Sequence, residues 1–447
     1  MLIIETWFRT TRRCIVLEWF FGPEVKEKRG VLRQNVVANI VDGGMYSFGI
    51  SFVSLQTVVP VMVKHISGSD FAVGLVPVLW TAGFNFPQIF IANHAQRFPY
   101  KKRLFLRTAF VQRVPWLLLA LLSFFMLGRL SPTAGTLFFF FLFTLAAVTG
   151  SLCFPIWFDL IAKLTPVELR GRLFAARNLV GGILGVLAGL VVERVLAEIA
   201  YPLSYGVLFT LAFLLMEVSY WALTRLNEEA ASAVSEEVHI LEYFRNLPRI
   251  LKGQKNFRNF LISDSLLIAA TMAGAFYAVH AIQKFSLSDS SAGMFTVMIM
   301  CSTIVGNIFF GTIADRYGHK VNLVLAAAST ALSCFMALLA TDQRLYLIVF
   351  VGMAFQIGLS GISRLSIVAE LCSEEERPTY IALTNLVTSP FVLFGLVAGG
   401  IAGRFGYDAV FLIAGLLAVV SALWMAFRVE EPRETVGRPF VQSAQYE

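Results

Sequence analysis

The chain has 447 residues, of which 57% are hydrophobic and only 15% are charged, and its formal net charge is +7. Soluble domains usually carry about 25% charged residues, so this composition excludes an ordinary soluble protein. In a membrane protein a positive excess usually reflects orientation, and no nucleic-acid partner is expected.

The first residues carry apolar patches that charged residues interrupt, among them Glu5, Arg9 and Glu18. A secretory signal needs a longer uninterrupted apolar core and a small-residue cleavage site, and neither is found here. We therefore predict that residues 1–35 form a cytoplasmic amphipathic segment on the inner membrane face.

Twelve apolar runs follow along the chain. Each comes close to or exceeds the ~20 residues that a helix needs to cross the hydrocarbon core. The runs are about twice as long as the strands of a membrane β-barrel, and helices satisfy their own backbone hydrogen bonds in lipid. The predicted fold class is an all-α membrane protein with twelve transmembrane helices, at 36–62, 71–93, 105–128, 134–157, 173–197, 203–224, 258–283, 291–313, 321–340, 344–363, 379–402 and 408–427.

Lys and Arg residues concentrate on one side of these helices. The N-terminal segment, the even-numbered loops and the C-terminal residues hold most of them, whereas each odd-numbered loop holds one. Because cytoplasmic loops are enriched in Lys and Arg, both termini are predicted to be cytoplasmic. A polar stretch also divides the runs six and six. The predicted parts are the N-terminal segment 1–35, an N-terminal six-helix half 36–224, a cytoplasmic linker 225–257, a C-terminal six-helix half 258–428 and a cytoplasmic tail 429–447.

The two halves share a repeated sequence. Residues 161–180 align with residues 368–387, and both segments follow the fourth run of their half. Parallel six-helix repeats build transporters whose substrate site lies between the halves. The identical pairs are Ala162/Ala369, Leu164/Leu371, Glu168/Glu375, Arg170/Arg377, Ala175/Ala382, Asn178/Asn385, Leu179/Leu386 and Val180/Val387.

The loop after the eighth run reads GTIADRYGHK, from Gly311 to Lys320. It resembles the signature loop of the major facilitator superfamily. The loop after the second run is similar but has Gln96 where the signature has an acidic residue. The resemblance implies two pseudo-symmetric six-helix bundles, alternating access and a monomer. It also implies a conformational gate in which Asp315 packs against the other half, and a solvated turn is the alternative. The gate residues are Gly311, Asp315, Arg316, Gly318, Lys320, Arg97, Arg170 and Arg377.

Ionisable residues inside the spans are costly, by about 2.5–3.5 kcal/mol on insertion scales, and mark functional sites by default. In the family the first, fourth, seventh and tenth helices line the central cavity. Asp42, Asp264 and His280 are the proton-coupling candidates, Asp42 foremost, and a structural role is the alternative for each. For Arg364 two roles are left open, an ion pair with Asp159 or Glu370 and a positive-inside anchor at the end of the tenth helix. The substrate-cavity candidates, for which simple packing is the alternative, are Gln56, Trp80, Asn85, Trp157, Tyr277, Gln356 and Ser360.

The predicted function is secondary active transport of a small molecule across the plasma membrane, by resemblance the bacterial inner membrane. Proton coupling and export of amphipathic compounds are favoured. No phosphate-binding loop, metal-spaced Cys/His cluster or nucleophile elbow occurs, so neither an enzyme nor a cofactor or metal is predicted. The expected partners are the substrate, protons and the lipid bilayer. The alternatives are an uptake permease for a small neutral solute, a non-transporting scaffold or sensor, and, least favoured, a membrane enzyme.

Overall fold

The computed structural model describes residues 29–85, 87, 88, 91, 98, 100–228, 253–372 and 376–435. The gate residue Arg97, the neighbouring Gln96, and most of the predicted N-terminal segment, linker and tail lie outside the described residues.

Seven helices lie in the described residues of the first half. A polar cap starts α5, because Ser131 Oγ accepts a hydrogen bond from Ala134 N at 3.3 Å and Pro132 takes the first helical position. The helices are α1 (Arg29–Ser51), α2 (Val58–Ser67), α3 (Asp70–Asn85), α4 (Lys102–Leu121, continued by a π-helical turn Leu122–Met126), α5 (Pro132–Leu164), α6 (Val167–Glu198) and α7 (Leu203–Thr224).

The second half follows the same order. Asp342 caps α12 by accepting hydrogen bonds from the backbone of Arg344 and Leu345 at 2.7 and 3.0 Å. The helices are α8 (Lys255–Ala270, continued by a 3₁₀ turn Thr271–Ala275), α9 (Tyr277–Lys284), α10 (Ser291–Tyr317), α11 (His319–Leu339), α12 (Gln343–Glu370), α13 (Arg377–Thr388, continued by a 3₁₀ turn Ser389–Leu393), α14 (Phe394–Phe405), α15 (Tyr407–Arg428) and α16 (Pro432–Thr435).

Within the described residues, ten helical segments are long and apolar enough to cross a membrane, and the chain is a multi-pass membrane protein. The predicted run 36–62 is not one continuous helix. It is broken between Ser51 and Val58 by turns in which Ser54 O accepts hydrogen bonds from Thr57 N and Val59 N. Pro60 then falls in the first turn of α2, where its missing N–H costs nothing.

We call the end of the molecule where α1 begins and α15 ends the terminal end. There both halves make the same contact between the start of the first span and the residues that follow the last span. Asn35 exchanges two hydrogen bonds with the backbone of Asn227, at 3.0 and 2.7 Å. In the second half Asn256 does the same with the backbone of Glu430, at 3.0 and 2.8 Å. The residues that follow the last span of each half are therefore fixed to the start of its first span.

The halves meet at the opposite end, which we call the distal end. Here α6 packs on α10, and α3 packs on α14, through glycines. A Cβ added to Gly293 would lie 2.3 Å from Glu193 N, and one added to Gly74 would lie 2.3 Å from Gly395 O. These close backbone approaches are possible because glycine has no side chain.

Toward the terminal end the same two helices separate. Gly182 of α6 still lies against Ile304 of α10, where an added Cβ would be 2.6 Å away. One turn further on, Leu179 is 50% exposed and Ile308 is 64% exposed. The halves are thus closed together at the distal end and splay apart along α6 and α10 toward the terminal end.

Candidate functional site

Asp42 lies in α1, 3% exposed, and forms a buried ion pair with Arg177 of α6. Its Oδ2 is 2.9 Å from Arg177 Nη2, and its Oδ1 accepts a hydrogen bond from Ser219 Oγ of α7 at 2.7 Å. Arg177 Nη1 also donates to the carbonyl of Asn39 at 2.5 Å. Three helices of the first half therefore converge on this carboxylate.

The Arg177 guanidinium contacts an aromatic ring and a glycine. The Trp157 ring of α5 lies 4.9 Å from Arg177 Cζ. A Cβ added to Gly43 would be 2.6 Å from Nε and 2.7 Å from Cζ. The predicted cavity residue Trp157 thus contacts the charged pair directly, and cation–π contact stabilises the arginine in this position.

A second arginine, Arg113 of α4, lies beside this pair and is 2% exposed. It donates to Met216 O at 2.8 Å and to Ser219 Oγ at 3.3 Å, so that Ser219 links Arg113 to Asp42. The sequence placed Arg113 inside a span but gave no indication of its partner.

Asp264 of α8, 3% exposed, forms the corresponding ion pair of the second half with Arg364 of α12. Arg364 Nε lies 3.1 and 2.8 Å from the two carboxylate oxygens. Its terminal nitrogens donate to Asn385 Oδ1 at 3.3 Å and to Thr388 Oγ1 at 2.9 Å, both on α13. The expectation that Arg364 pairs with Asp159 or Glu370 is therefore wrong, since the nearer carboxylate on α8 occupies it.

The two acids do not occupy the same place in the repeat. Asn35 and Asn256 make matching contacts, and from them Asp42 corresponds to Ser263. Ser263 Oγ bonds Ser421 at 3.1 Å, just as Asp42 bonds Ser219. Asp264 lies one residue further, which turns it by about 100° on the helix, toward α12 and α13.

His280, Tyr277 and Tyr346 form a cluster near the distal end of the second half. His280 Nδ1 is 3.0 Å from Tyr346 Oη, which lies 3.1 Å from the carbonyl of Tyr277. Tyr277 Oη is 3.2 Å from Cys334 Sγ, and its side chain is 2% exposed. Tyr277 thus packs in the core, and His280 is 7% exposed, with Asp408 at 3.8 Å.

The remaining cavity candidates are dispersed. Gln356 Nε2 donates to Ser360 Oγ at 3.2 Å, four residues along α12 and one turn before Arg364. Gln56 accepts from Ser54 Oγ at 3.4 Å in the break between α1 and α2. Trp80 belongs to an aromatic group with Phe84, Trp116 and Phe143, whereas Asn85 is exposed at the end of α3.

The gate loop of the second half is attached to its own half. Gly318 has a φ of +86°, a conformation that favours glycine, and Glu431 lies against its Cα. Lys320 N donates to Glu431 Oε2 at 3.1 Å. The exposed Asp315 accepts a hydrogen bond through its carbonyl from Arg433 at 3.2 Å. Burial raises the pKa of Glu431, and the hydrogen bond from Lys320 N together with the nearby cations only partly offsets this effect.

Other members of the predicted gate have local roles. Arg170 donates to the carbonyls of Thr165 and Ala162 at 3.1 and 2.6 Å, and so caps the end of α5. Arg316 stacks on Tyr317 at 5.4 Å. Gly311 has open space around it, and Arg377 begins α13.

Glu228 is the counterpart of Glu431 in the first half, and the sequence analysis missed both. Its two oxygens accept hydrogen bonds from the backbone of Lys101 and Lys102 at 3.0 and 2.9 Å, where α4 begins. Lys163 Nζ lies 2.5 Å away. Burial raises the pKa of Glu228, but Lys163 and the two N–H groups outweigh burial and hold that pKa below its usual range. In both halves the same sequence feature could have identified this glutamate: an acidic residue a few positions after the last apolar run, the sixth or the twelfth.

Besides the hydrogen bond between Thr57 Oγ1 and Thr296 Oγ1 at 2.6 Å, two contacts to carboxylates join the halves at the distal end. His65 Nε2 of α2 is 2.5 Å from Asp289 Oδ2, just before α10. Tyr407 Oη of α15 donates to Asp70 Oδ1 of α3 at 2.5 Å, and Lys64 also binds that carboxylate, at 2.6 Å. We call these two contacts the distal latch.

This architecture defines a class, the all-helical multi-pass membrane protein, and the comparisons with known proteins agree with it. The family model for the Major Facilitator Superfamily matches residues 265–445. The predicted resemblance to a major facilitator superfamily permease is therefore confirmed.

Individual relatives match over shorter stretches or at lower identity. The chain is 26% identical to the sphingosine-1-phosphate transporter SPNS2 of Danio rerio over 230 residues, which is 44% of each chain. It is 25% identical to the class B tetracycline resistance protein of Escherichia coli over 158 residues, 34% of this chain and 39% of that one. The matches thus span less than half the length of these relatives.

The fold is shared over a much larger part of the chain. The crystal structure of the nucleoside transporter NupG superimposes with a TM-score of 0.66 at 14% identity, covering 89% of this chain and 98% of that one. At this identity the likeness concerns the fold alone.

Proposed function

We propose that this chain is a secondary active transporter that moves a small molecule across the membrane by alternating access. The observation that carries the proposal is the closure of the two halves at the distal end, while α6 and α10 separate toward the terminal end. A carrier of this kind exposes its midplane site to one side at a time.

The proposal includes twelve spans in two six-helix bundles. Ten are long and apolar enough within the described residues. The other two are the polar first span, which runs from α1 into the start of α2, and the second span, which begins with α3. The relatives that are named as transporters support the transport function.

We further propose that both termini are cytoplasmic in the plasma membrane, so that the structure is open toward the cytoplasm. Proton coupling rests on the two buried carboxylates, Asp42 and Asp264, and export of amphipathic compounds is the proposed direction. Asp264 is the stronger coupling candidate, because its partner Arg364 is partly exposed whereas Arg177 is enclosed. Uptake remains the alternative direction.

The test uses inverted membrane vesicles of cells that express the full chain. Respiration sets up a proton gradient, which is followed with a quenched acridine dye, and an amphipathic compound is added. Ethidium and naphthalene-2-sulfonate serve as cationic and anionic probes. Recovery of fluorescence with either probe, absent in vesicles without the protein, supports proton-coupled export.

Variants assign the coupling residue. Asp264→Asn is expected to abolish the recovery, whereas the exposed Glu198→Gln, which loses only a surface pair with Arg194, is the control and keeps it. If Asp42→Asn alone abolishes it, the assignment passes to Asp42. If the wild type gives no recovery with either probe despite normal expression, proton-coupled export is rejected.

A further inference from the structure

Arg364, which pairs with the buried Asp264, has N–H groups that make no hydrogen bond among the described residues. A guanidinium has five N–H donors. Nε binds Asp264, one N–H of Nη1 binds Asn385, and one of Nη2 binds Thr388. On each terminal nitrogen one N–H has no acceptor among the described residues. The side chain is 23% exposed, and Asn385 beside it is exposed.

The arginine of the first half differs in this respect. Arg177 contacts Trp157 and Gly43, and its side chain is 10% exposed. Its Nη1 already binds the carbonyl and Oδ1 of Asn39, and its Nη2 binds Asp42. The two ion pairs therefore look alike in composition but differ in access.

The repeat shows that Arg364 is specific to the second half. The alignment of residues 161–180 with 368–387 extends to Trp157 opposite Arg364. One half thus carries an aromatic ring, and the other carries a cation, at the same level of the fourth helix of each bundle. The resemblance to the family places both helices at the central cavity.

Apolar surface borders the arginine on its own helix. Ile357 is 41% exposed and Leu365 is 46% exposed, and Gly361 between them has open space where a side chain would stand. Other faces of α12 are covered, since Gly358 lies against Phe310 of α10 and Gly352 against Ser333 of α11. The open face thus combines a cation with apolar groups.

We propose that Arg364 is the anchor for the acidic group of an organic anion with an apolar body, which is the transported substrate. Asp264 holds the guanidinium through Nε and leaves the Nη1–Nη2 edge for the sulfonate, carboxylate or phosphate oxygens. Such two-point contacts between a guanidinium and an anion are among the stronger polar interactions in proteins. This inference rests on the proposed transport function and names its substrate class.

The test measures equilibrium binding to the purified, detergent-solubilised full chain, by quenching of its tryptophan fluorescence. Naphthalene-2-sulfonate is the anionic probe, and naphthalene-2-sulfonamide is the neutral probe of the same shape. The anion is expected to bind at least ~10-fold more tightly than the neutral compound, since charge-assisted bonds exceed neutral ones in strength. Equal affinities would overturn the proposal.

Variants of Arg364 test the position. Arg364→Gln is expected to raise the Kd of the anion at least ~10-fold and to leave the neutral probe unchanged. Arg364→Lys keeps the charge but loses the fork, and is expected to give an intermediate Kd. The exposed Arg344→Gln, at the other end of the same helix, is the control for loss of one positive charge.

Each remaining outcome is decisive. Unchanged anion binding in both Arg364 variants would place the anion elsewhere and overturn the proposal. If dihexanoyl-phosphatidylglycerol binds with the same Arg364 dependence and the sulfonate does not, the site is a lipid site and the substrate assignment is overturned. Because binding needs no proton gradient, the binding assay can support the Arg364 site even when the vesicle assay shows no transport. Equally, the vesicle assay can show transport when the binding assay rejects the site.

Discussion

At the residue scale, the position of the Arg177 side chain depends on Gly43, a helix residue to which the sequence alone assigns no role. Gly43 and Trp157 both lie against the Arg177 guanidinium. A Cβ at position 43 would lie 2.6 Å from Arg177 Nε and would displace the side chain that pairs with Asp42. The absence of a side chain at position 43 is therefore part of the charged site.

We predict that Gly43→Ala displaces Arg177 and weakens its pair with Asp42. The cost should be about 1–3 kcal/mol, typical of overpacking a filled site. Thermal unfolding of the purified protein measures it as a lowered Tm. Gly30→Ala, in the same helix but with open space around it, is the control and should not lower the Tm. Equal behaviour of the two variants would contradict the geometry.

The charged partners could not be read from the sequence. Asp42 and Asp264 stand out in the sequence, because acids in apolar runs are rare. Their partners Arg177 and Arg364 lie 135 and 100 residues away, and nothing in the sequence connects them. Hydropathy gives the position of a span along the chain but not its rotation or its neighbours, and these decide which charges meet.

At the element scale, the sequence predicted the positions of the helices better than it predicted the breaks within them. Apolar runs matched the observed helices to within several residues, and the glycines of α6 pack against α1 and α10. The breaks at residues 52–57 and in the 3₁₀ turns of the seventh and eleventh spans were missed. A helical and a turned backbone bury the same apolar residues, so composition does not separate them.

The α6–α10 contact gives the second prediction. A Cβ at Gly293 would lie 2.3 Å from Glu193 N and 2.5 Å from Gly189 O, and backbone atoms cannot rotate away. Gly293→Ala should therefore force the distal ends apart. Spin labels on cysteines placed at Glu198 and Ser288, in a chain without its native cysteines, should report a longer mean distance. Gly403→Ala, with open space around it, should leave the distance unchanged.

At the scale of the whole molecule, the distal latch joins the halves and contains a titratable group. His65 lies beyond the predicted first run, and its hydrogen bond to Asp289 raises its pKa above the ordinary value of 6.5 despite burial. Lys64, Asp70 and Tyr201 are the other titratable groups nearby. The ion pair is fully present below about pH 6.5 and is lost as the pH rises through the raised pKa.

We therefore predict that the distal end is held more tightly at pH 6 than at pH 9. The same spin-label pair should show a broader and longer distance distribution at the higher pH. His65→Gln should remove this difference, because glutamine does not titrate. His319→Gln, at the terminal end, is the control and should retain it. A pH response that survives in His65→Gln would assign the effect to another group.

The carboxylates of Glu228 and Glu431 have a consequence for biosynthesis. Each follows the last span of its half and binds the backbone at the start of an earlier helix of that half, at Lys101–Lys102 and at Lys320. Translation supplies Glu228 before any residue of the second half exists, so the first bundle can be completed while the ribosome is still making the second. A chain divided between residues 229 and 252 keeps both contacts. Its two fragments, produced together in one cell, are equipped to fold separately and then to assemble across the α3–α14 and α6–α10 surfaces.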